Sequence, residues 1–547
     1  MKTSKSMKAT RILAALLAFV MMLSVAGCGS NGATVPSGSD APSDTVSEGN
    51  PSATTLAKPA DVTGEIVSAK DTMVIGCYGE PQSMFPMNDG KIPGIHIIVQ
   101  LYEPLLQMDK DGNILPLLAD SYERVDEKTY RFFLKQGVKF HNGEEMKASD
   151  VVASFKHICE NPKMATFNAM LDPDSIKAED DYTVLIGTKQ PYAMFLSIMA
   201  HPQMCVFSEK WFNEIGDKLD REVCGTGAFR FVEWNEGDNI IMERFDDYHG
   251  EVAKLKTLNF RTIPEANSRM LELETGGIDL MTEVPGISLE QVSENDNLIL
   301  WTTDSVGLSF LALNYDRELL QDNRVRKAIA HAIDNDAMRK ACLMDAAETA
   351  YGYLPPSVPG AKLDLPRYTH DVELSKQLLT EAGYPDGIDL ELAFFQSSDN
   401  RRMGEVLQAM LKEAGIRLTL NEMETAVYTP FLNSREQQAA ITTLNNTLRD
   451  PHHTLSKLAS ESCGVGGNRV NYSNPEMDQL LDEAAAEMDP EKRMQMYDVI
   501  QTKLYEDTAW VPLYSLKVCT ATTKNLRGFD LIYPASYQNY APCYFVE

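Results

Sequence analysis

Two hydrophobic periods alternate along residues 66–547. Thr129–Leu134 reads as a strand, as do Arg230–Trp234 and Ile240–Phe245, which pair as a hairpin around Asn235–Asp238. Leu308–Asn314 is apolar almost without a break and reads as a buried strand. Other stretches carry the helical period. Asp371–Ala382 and Arg401–Ala414 each run into a glycine, Gly383 and Gly415, where a left-handed residue closes a helix. Asn474 is placed to cap a helix over Pro475–Met488, with Pro475 in its first turn. In Pro490–Asp507 the residues Met494, Tyr497, Ile500, Leu504 and Tyr505 make one apolar face. No repeat of fixed period is present. Strands and helices alternate over a body too long for one core, which predicts an α/β protein of two or three lobes.

The first 65 residues follow a different pattern. Lys2, Lys5, Lys8 and Arg11 precede an unbroken apolar run, Ile12–Leu23, too short for a comfortable membrane span and suited to a signal peptide. Val25-Ala26-Gly27-Cys28 follows, small residues before a cysteine, resembling a bacterial lipobox. Residues 1–27 are then a signal peptide and Cys28 is the lipidated first residue of the mature chain. An ordinary signal peptide that contains a cysteine is the plainer alternative. Gly29–Ala60 is rich in Ser, Gly, Pro, Ala and Thr and lacks aromatic residues, so residues 28–65 read as a lipidated cysteine and a disordered tether. Such a tether reaches on the order of 30 Å, enough to hold a globular body off a membrane.

Composition narrows the function classes. The net charge is −29, and removing the four basic side chains of residues 1–27 leaves −33. That excess argues against nucleic acid as a partner, whose phosphates need a basic surface, and against an anionic membrane patch. Eight cysteines follow Cys28 without a CxxC pair; an exported location permits disulfides, but the spacing assigns none. The motifs G-x-S-x-G, H-E-x-x-H and the Walker loop are missing, so the sequence points to no enzyme and to no cofactor.

A series of blocks in order gives the chain its resemblance. They are Leu117–Tyr122, Thr129–Gly143 and Ala148–Phe155, then Gly225–Phe229 and Glu243–Tyr248, then Gly276–Leu280, Asn323–Asp334 and Asn468–Asp478. Over nearly the whole body the chain resembles the bacterial extracellular solute-binding proteins of family 5, which serve oligopeptide, dipeptide and nickel ABC importers. The resemblance implies a fold of the periplasmic-binding-protein type II kind, with two large lobes, an inserted smaller β-rich lobe and an interlobe cleft. Lobe I would comprise residues 66–105, 226–310 and 515–547, the inserted lobe II residues 106–225, and lobe III residues 311–514. The two crossings between the large lobes would lie near Leu311–Asn314 and Trp510–Tyr514. It further implies capture of a peptide or peptide-like solute, closure of the lobes, and delivery to a membrane permease with its ATPases. The implied place is outside the cytoplasmic membrane, anchored by lipid on its outer face or on the periplasmic side of a membrane.

The same resemblance singles out cleft residues. Tyr78, Trp301 and Tyr315 sit near family cleft positions, where aromatic rings sandwich varied side chains; core packing explains each of them as well. In peptide-binding relatives an aspartate four residues before a proline pairs with the peptide's amino terminus. The corresponding stretch here is Asn445-Asn446-Thr447-Leu448-Arg449-Asp450-Pro451-His452-His453, with Thr447 where the aspartate would be. The arginine that meets a peptide carboxylate in dipeptide-binding relatives is missing from Ala393–Gln396. Asn445, Asn446, Thr447, Arg449, Asp450 and His452 remain candidates, Asp450 as a substitute carboxylate. Asp450-Pro451-His452 also resembles a stretch of nickel-binding relatives, which makes a metal chelate the alternative solute, with His452 as its ligand. The plainer reading is a helix cap: Asp450 at the N-cap, Pro451 in the first turn and the histidines in ordinary hydrogen bonds.

Overall fold

The computed structural model describes residues 67–464, 467–532 and 537–547. The signal segment, Cys28 and the tether lie outside the described residues. Among those described, no helix is long and apolar enough to cross a membrane.

Most strands join a single path. Its order is Ile416–Met423, Ile388–Phe395, Ala439–Asn445, Leu298–Leu313, Val511–Thr523, Leu280–Met281, Thr72–Cys77, Thr257–Thr262, Asn239–Arg244 and Phe229–Asn235, with Ala347–Thr349 added beside Val511–Thr523. The long strands Leu298–Leu313 and Val511–Thr523 run antiparallel at its centre. The first half of Leu298–Leu313 pairs with Lys517–Thr523, and the second half pairs with both Val511–Ser515 and Ala439–Asn445. The register shifts between Asp304 and Leu308, and there the sheet changes from one lobe to the other. Leu311–Leu313 lies further along the same strand, where Gly307–Leu313 pairs with Ala439–Asn445.

Burial explains why Leu308–Asn314 is so uniformly apolar. Val306, Leu308, Phe310 and Ala312 pack on one face of the sheet with Tyr353 and Trp510. Leu311 and Leu313 pack on the other with Ile329, Leu407 and Leu390. A strand covered on both faces has no polar side to show. The Phe310 and Trp510 rings stack at 4.2 Å across the two central strands.

A separate four-stranded sheet, Ala119–Arg124, Thr129–Leu134, Thr183–Thr188 and Leu171–Asp180, forms within residues 106–225. Its buried face is not a separate core. Phe132, Phe195 and Phe207 belong to one continuous cluster with Met73, Phe229 and Leu258.

The helices end where capping chemistry puts them. Asp371 caps Val372–Glu381 and Asn474 caps Pro475–Ala486, each through its side-chain oxygen. Gly383 and Gly415 follow their helices at φ of +96° and +83°. The helix expected over Arg401–Ala414 begins earlier, at Ser398, because Ser397 accepts a hydrogen bond from the Asn400 amide. In Pro490–Glu506 the buried face also carries Arg493 and Gln501. The eight cysteines after Cys28 are free thiols. Burial pushes several of them up, Cys77 to about 12.

Candidate functional site

Two sets of parallel strands end at the changeover. In lobe I, Thr72–Cys77 runs parallel to Thr257–Thr262 and to Leu280–Met281. In lobe III, Ile388–Phe395 runs parallel to Ile416–Met423 and Ala439–Asn445. Val284 N donates to Cys519 O at 2.8 Å, and Cys519 stands opposite Thr302. Asn445 stands opposite Gly307. Both sets therefore point their carboxyl ends at Asp304–Leu308 from opposite sides, about 17 Å apart at the strand rise of about 3.3 Å per residue. Solutes in open α/β sheets bind in crevices outside the carboxyl ends of strands.

The lobe I wall is sparsely bonded. Tyr78 follows Thr72–Cys77 and is half-buried, and burial raises its phenol. Its hydroxyl makes no hydrogen bond among the described residues. Glu283 follows Leu280–Met281 at φ +56°, a conformation unfavourable for a side chain longer than Asn. Behind them Arg269 is buried and donates to Ile263 O at 2.6 Å and Pro264 O at 2.8 Å.

On the lobe III wall it is the helix cap at Asp450 that is bonded throughout. Asp450 caps Pro451–Leu455, its Oδ1 accepting from the His452 amide at 2.9 Å. The same carboxylate takes a two-pronged hydrogen bond from Arg493, Nη1 to Oδ2 at 2.6 Å and Nη2 to Oδ1 at 2.7 Å. Asn446 is fully buried. Its amide closes on the Asp450 backbone, donating to the carbonyl at 2.7 Å and accepting from the N–H at 3.1 Å. Asp450 and Asn446 thus spend their polar atoms on each other, on Arg493 and on the helix cap. Arg449 reaches out of this loop, donating to Lys110 O of the inserted lobe at 2.9 Å and to Ser357 O at 3.3 Å. Asn445 is exposed and Thr447 half-buried.

Two aromatic candidates also turn away. Trp301 is 3% exposed, donates from Nε1 to Thr522 Oγ1 at 2.9 Å and meets Phe529 edge-on at 5.0 Å. Tyr315 donates to Asp507 O at 2.8 Å, meets Tyr472 edge-on at 5.4 Å and has the Arg326 guanidinium 4.0 Å above its ring. Trp301 lies on a strand, which can offer either face to a core, and Tyr315 lies just beyond the end of the same strand.

Between the inserted lobe and lobe III lies a cavity of about 450 Å³. Met170, Lys189 and Tyr192 line one side, and His452, His453 and Lys457 the other. His452 is 8% exposed, its ring edge-on to Tyr192 at 6.1 Å, and its buried Nδ1 has no hydrogen-bond partner. Burial pushes both His452 and His453 down to about 4. His201, from the inserted lobe, is pushed down to about 3, first by burial and then by the nearby His453. Burial also lowers Lys457, with Arg469 adding to the effect. Neutral imidazoles and a poorly hydrated ammonium thus face one cavity. Among the described residues no group of three or more His, Cys, Asp or Glu side chains is arranged to hold a metal ion. The Asp450 carboxylate, beside His452 in sequence, is turned onto Arg493 instead. The sequence reading missed Glu283, His201, Lys457 and Arg493.

A sheet built about two long strands, with two strand-end faces turned toward each other and a cavity between the inserted lobe and lobe III, is the geometry of a two-lobed solute-binding protein. The chain belongs to the bacterial extracellular solute-binding proteins, family 5, whose sequence profile matches residues 113–464. It is 28% identical over 476 residues to the glutathione-binding protein GsiB of Salmonella paratyphi A, covering 85% of this chain and 92% of that one. Among solved structures it is similar to the ABC transporter-associated periplasmic binding protein DppA of Helicobacter pylori in complex with peptide STSA. That match has a TM-score of 0.79 at 25% identity, covering 88% of this chain and 99% of that one. The oligopeptide-binding protein AppA of Bacillus subtilis, in complex with a nonapeptide, shares the fold at a TM-score of 0.76 and 24% identity, covering 88% and 100%. The fold is that of the type II periplasmic binding proteins.

Proposed function

We propose that this chain is the solute-capturing subunit of an ABC importer and that its solute is a short peptide or peptide-like molecule. The observation that carries the reading is the convergence of both strand-end faces on the Asp304–Leu308 changeover, together with a cavity of about 450 Å³ between the inserted lobe and lobe III. Closing such a crevice excludes water and brings both walls onto one solute, which favours the closed state when solute is present. The kinship with a glutathione-binding protein and with proteins bound to short peptides supports a peptide backbone as the common element. Tyr78, Asn445, Thr447 and His452 are the sequence candidates that keep side-chain atoms free for such a ligand. The chain does no chemistry on its solute and hands it to a permease with paired ATPases.

The lobe limits follow the scheme of residues 66–105, 226–310 and 515–547 for lobe I, 106–225 for lobe II and 311–514 for lobe III, with the first crossing moved to Asp304–Leu308. Export and a lipid on Cys28 tether the body to the outer face of a membrane. Replacing Cys28 by Ser is expected to release the protein into the soluble fraction. Native mass spectrometry of the purified protein, with metal analysis of the same sample, tests the solute. A bound mass that fragments as a peptide supports the reading, whereas stoichiometric nickel with no peptide would overturn it.

A further inference from the structure

A peptide brings an ammonium group into the crevice, and an ammonium removed from water needs a carboxylate partner. In lobe III the Asp450 carboxylate is held by Arg493, and the other carboxylates lining its cavity, Glu461 and Asp482, are exposed to water. Asp304, at the changeover, stands directly across the strand pair from Lys517. Glu283 is different. It emerges at the carboxyl end of Leu280–Met281, beside Tyr78 at the end of the adjacent parallel strand. Part of its surface reaches water while neighbouring protein crowds the rest, and it makes no hydrogen bond or ion pair among the described residues. The nearest cation acting on it, Arg269, has turned its guanidinium onto the carbonyls of Ile263 and Pro264.

The backbone at this position is strained and held. Thr282 N donates to Gly76 O at 3.2 Å and Val284 N to Cys519 O at 2.8 Å, so both neighbours are tied to flanking strands while Glu283 takes φ +56°. A residue kept in an unfavourable conformation by its surroundings, with its charged group uncompensated, is the kind of feature that gathers at binding sites. We infer, on the basis of the peptide reading above, that Glu283 is the carboxylate that receives the amino-terminal ammonium of the solute. Tyr78 supplies the adjoining aromatic wall, and the solute's anionic end lies toward Lys457 and the histidines. The protein around Glu283 displaces enough solvent to push its carboxyl up to about 7. Capture of an ammonium therefore weakens as pH falls through that value.

Calorimetric titration of the whole protein at pH 8 with Ser-Thr-Ser-Ala and with its N-acetylated form tests the assignment. The wild type is expected to prefer the free amine by roughly tenfold or more. Glu283→Gln is expected to erase that preference, losing affinity for the free amine while binding the acetylated peptide as before. Glu283→Gly relieves the backbone strain, so it is expected to melt higher than the wild type and lose the same preference, which separates binding from folding. Retention of the preference in Glu283→Gln, or a parallel loss for both peptides, would overturn the assignment while leaving peptide capture intact. A wild type that binds neither peptide would overturn the peptide reading and the assignment with it.

Discussion

The two walls of the crevice divide their work. Lobe III meets it with a loop whose carboxylate and buried amide are already matched: Asn446 to Asp450, Asp450 to Arg493 and to the helix it caps. Lobe I meets it with Tyr78 and Glu283, whose polar tips have no hydrogen-bond partner among the described residues. A buried charge that is paired and hydrogen-bonded shapes a surface, whereas an uncompensated one waits for a counter-charge. Lobe III thus provides form and lobe I the open valence, the reverse of what the Asp-Pro-His stretch suggests when read in isolation.

Breaking the matched wall gives the largest effect. Arg493→Met leaves the Asp450 carboxylate buried without its cation and is expected to cost about 3–5 kcal/mol in denaturant unfolding. Adding Asp450→Asn to the same chain removes the stranded charge and is expected to restore much of that loss. A single variant that unfolds like the wild type would show that the pair does not hold the loop.

Acid attacks the same boundary. A histidine held neutral by burial takes up its proton near 6.5 when unfolded but only near 4 when folded. Between those values the unfolded chain binds more protons, so stability is unaffected above 6.5, declines as pH falls toward 4, and levels off below. Each such group contributes up to about 1.4 kcal/mol per pH unit. His452→Gln is expected to flatten the decline of the urea midpoint between pH 6.5 and 4.5 by one group's share. An unchanged slope would mean that the ring is hydrated, not sealed against Tyr192.

Much of the fold was legible because it depends on neighbours in sequence. Thr129–Leu134 is found with its expected ends, and Asp371, Asn474 and Pro475 set helix starts through contacts two or three residues away. The lobe changeover was not, since it depends on the register between Leu298–Leu313 and Val511–Thr523, some two hundred residues apart. The fate of Asp450 was hidden for the same reason, its guanidinium partner lying on another helix. The packing of Trp301 was hidden because an aromatic on a two-sided sheet carries no mark of which side is a cleft. Glu283 carries no local sign at all: its meaning lies in a backbone angle and in a cation turned elsewhere.

The matched wall has a second seam that gives a smaller effect. Asn446→Ala deletes both side-chain hydrogen bonds to the Asp450 backbone in a fully buried place. The expected loss is about 2 kcal/mol, since a buried peptide group left unpaired loses its desolvation without compensation. Urea unfolding measures it, and the loss should be independent of pH, unlike that of the histidines.

Arg449 gives the smallest effect and the sharpest test of what the lobe III loop does. Its guanidinium crosses to the Lys110 carbonyl, and a Cβ added at Gly112 would come within 3.2 Å of it. This contact joins lobe III to the inserted lobe without entering the solute's charge balance. Arg449→Ala removes one charge-assisted hydrogen bond from the closed arrangement, worth about 1 kcal/mol, so affinity for any bound peptide is expected to fall about fivefold. Free-amine and acetylated peptides should lose equally, because closure is common to both, and unfolding in urea should be little changed. Gly112→Ala presses on the same guanidinium and is expected to act in the same direction. A loss confined to the free-amine peptide would instead place Arg449 in recognition and blur the division between a lobe that shapes the crevice and a lobe that reads the charge.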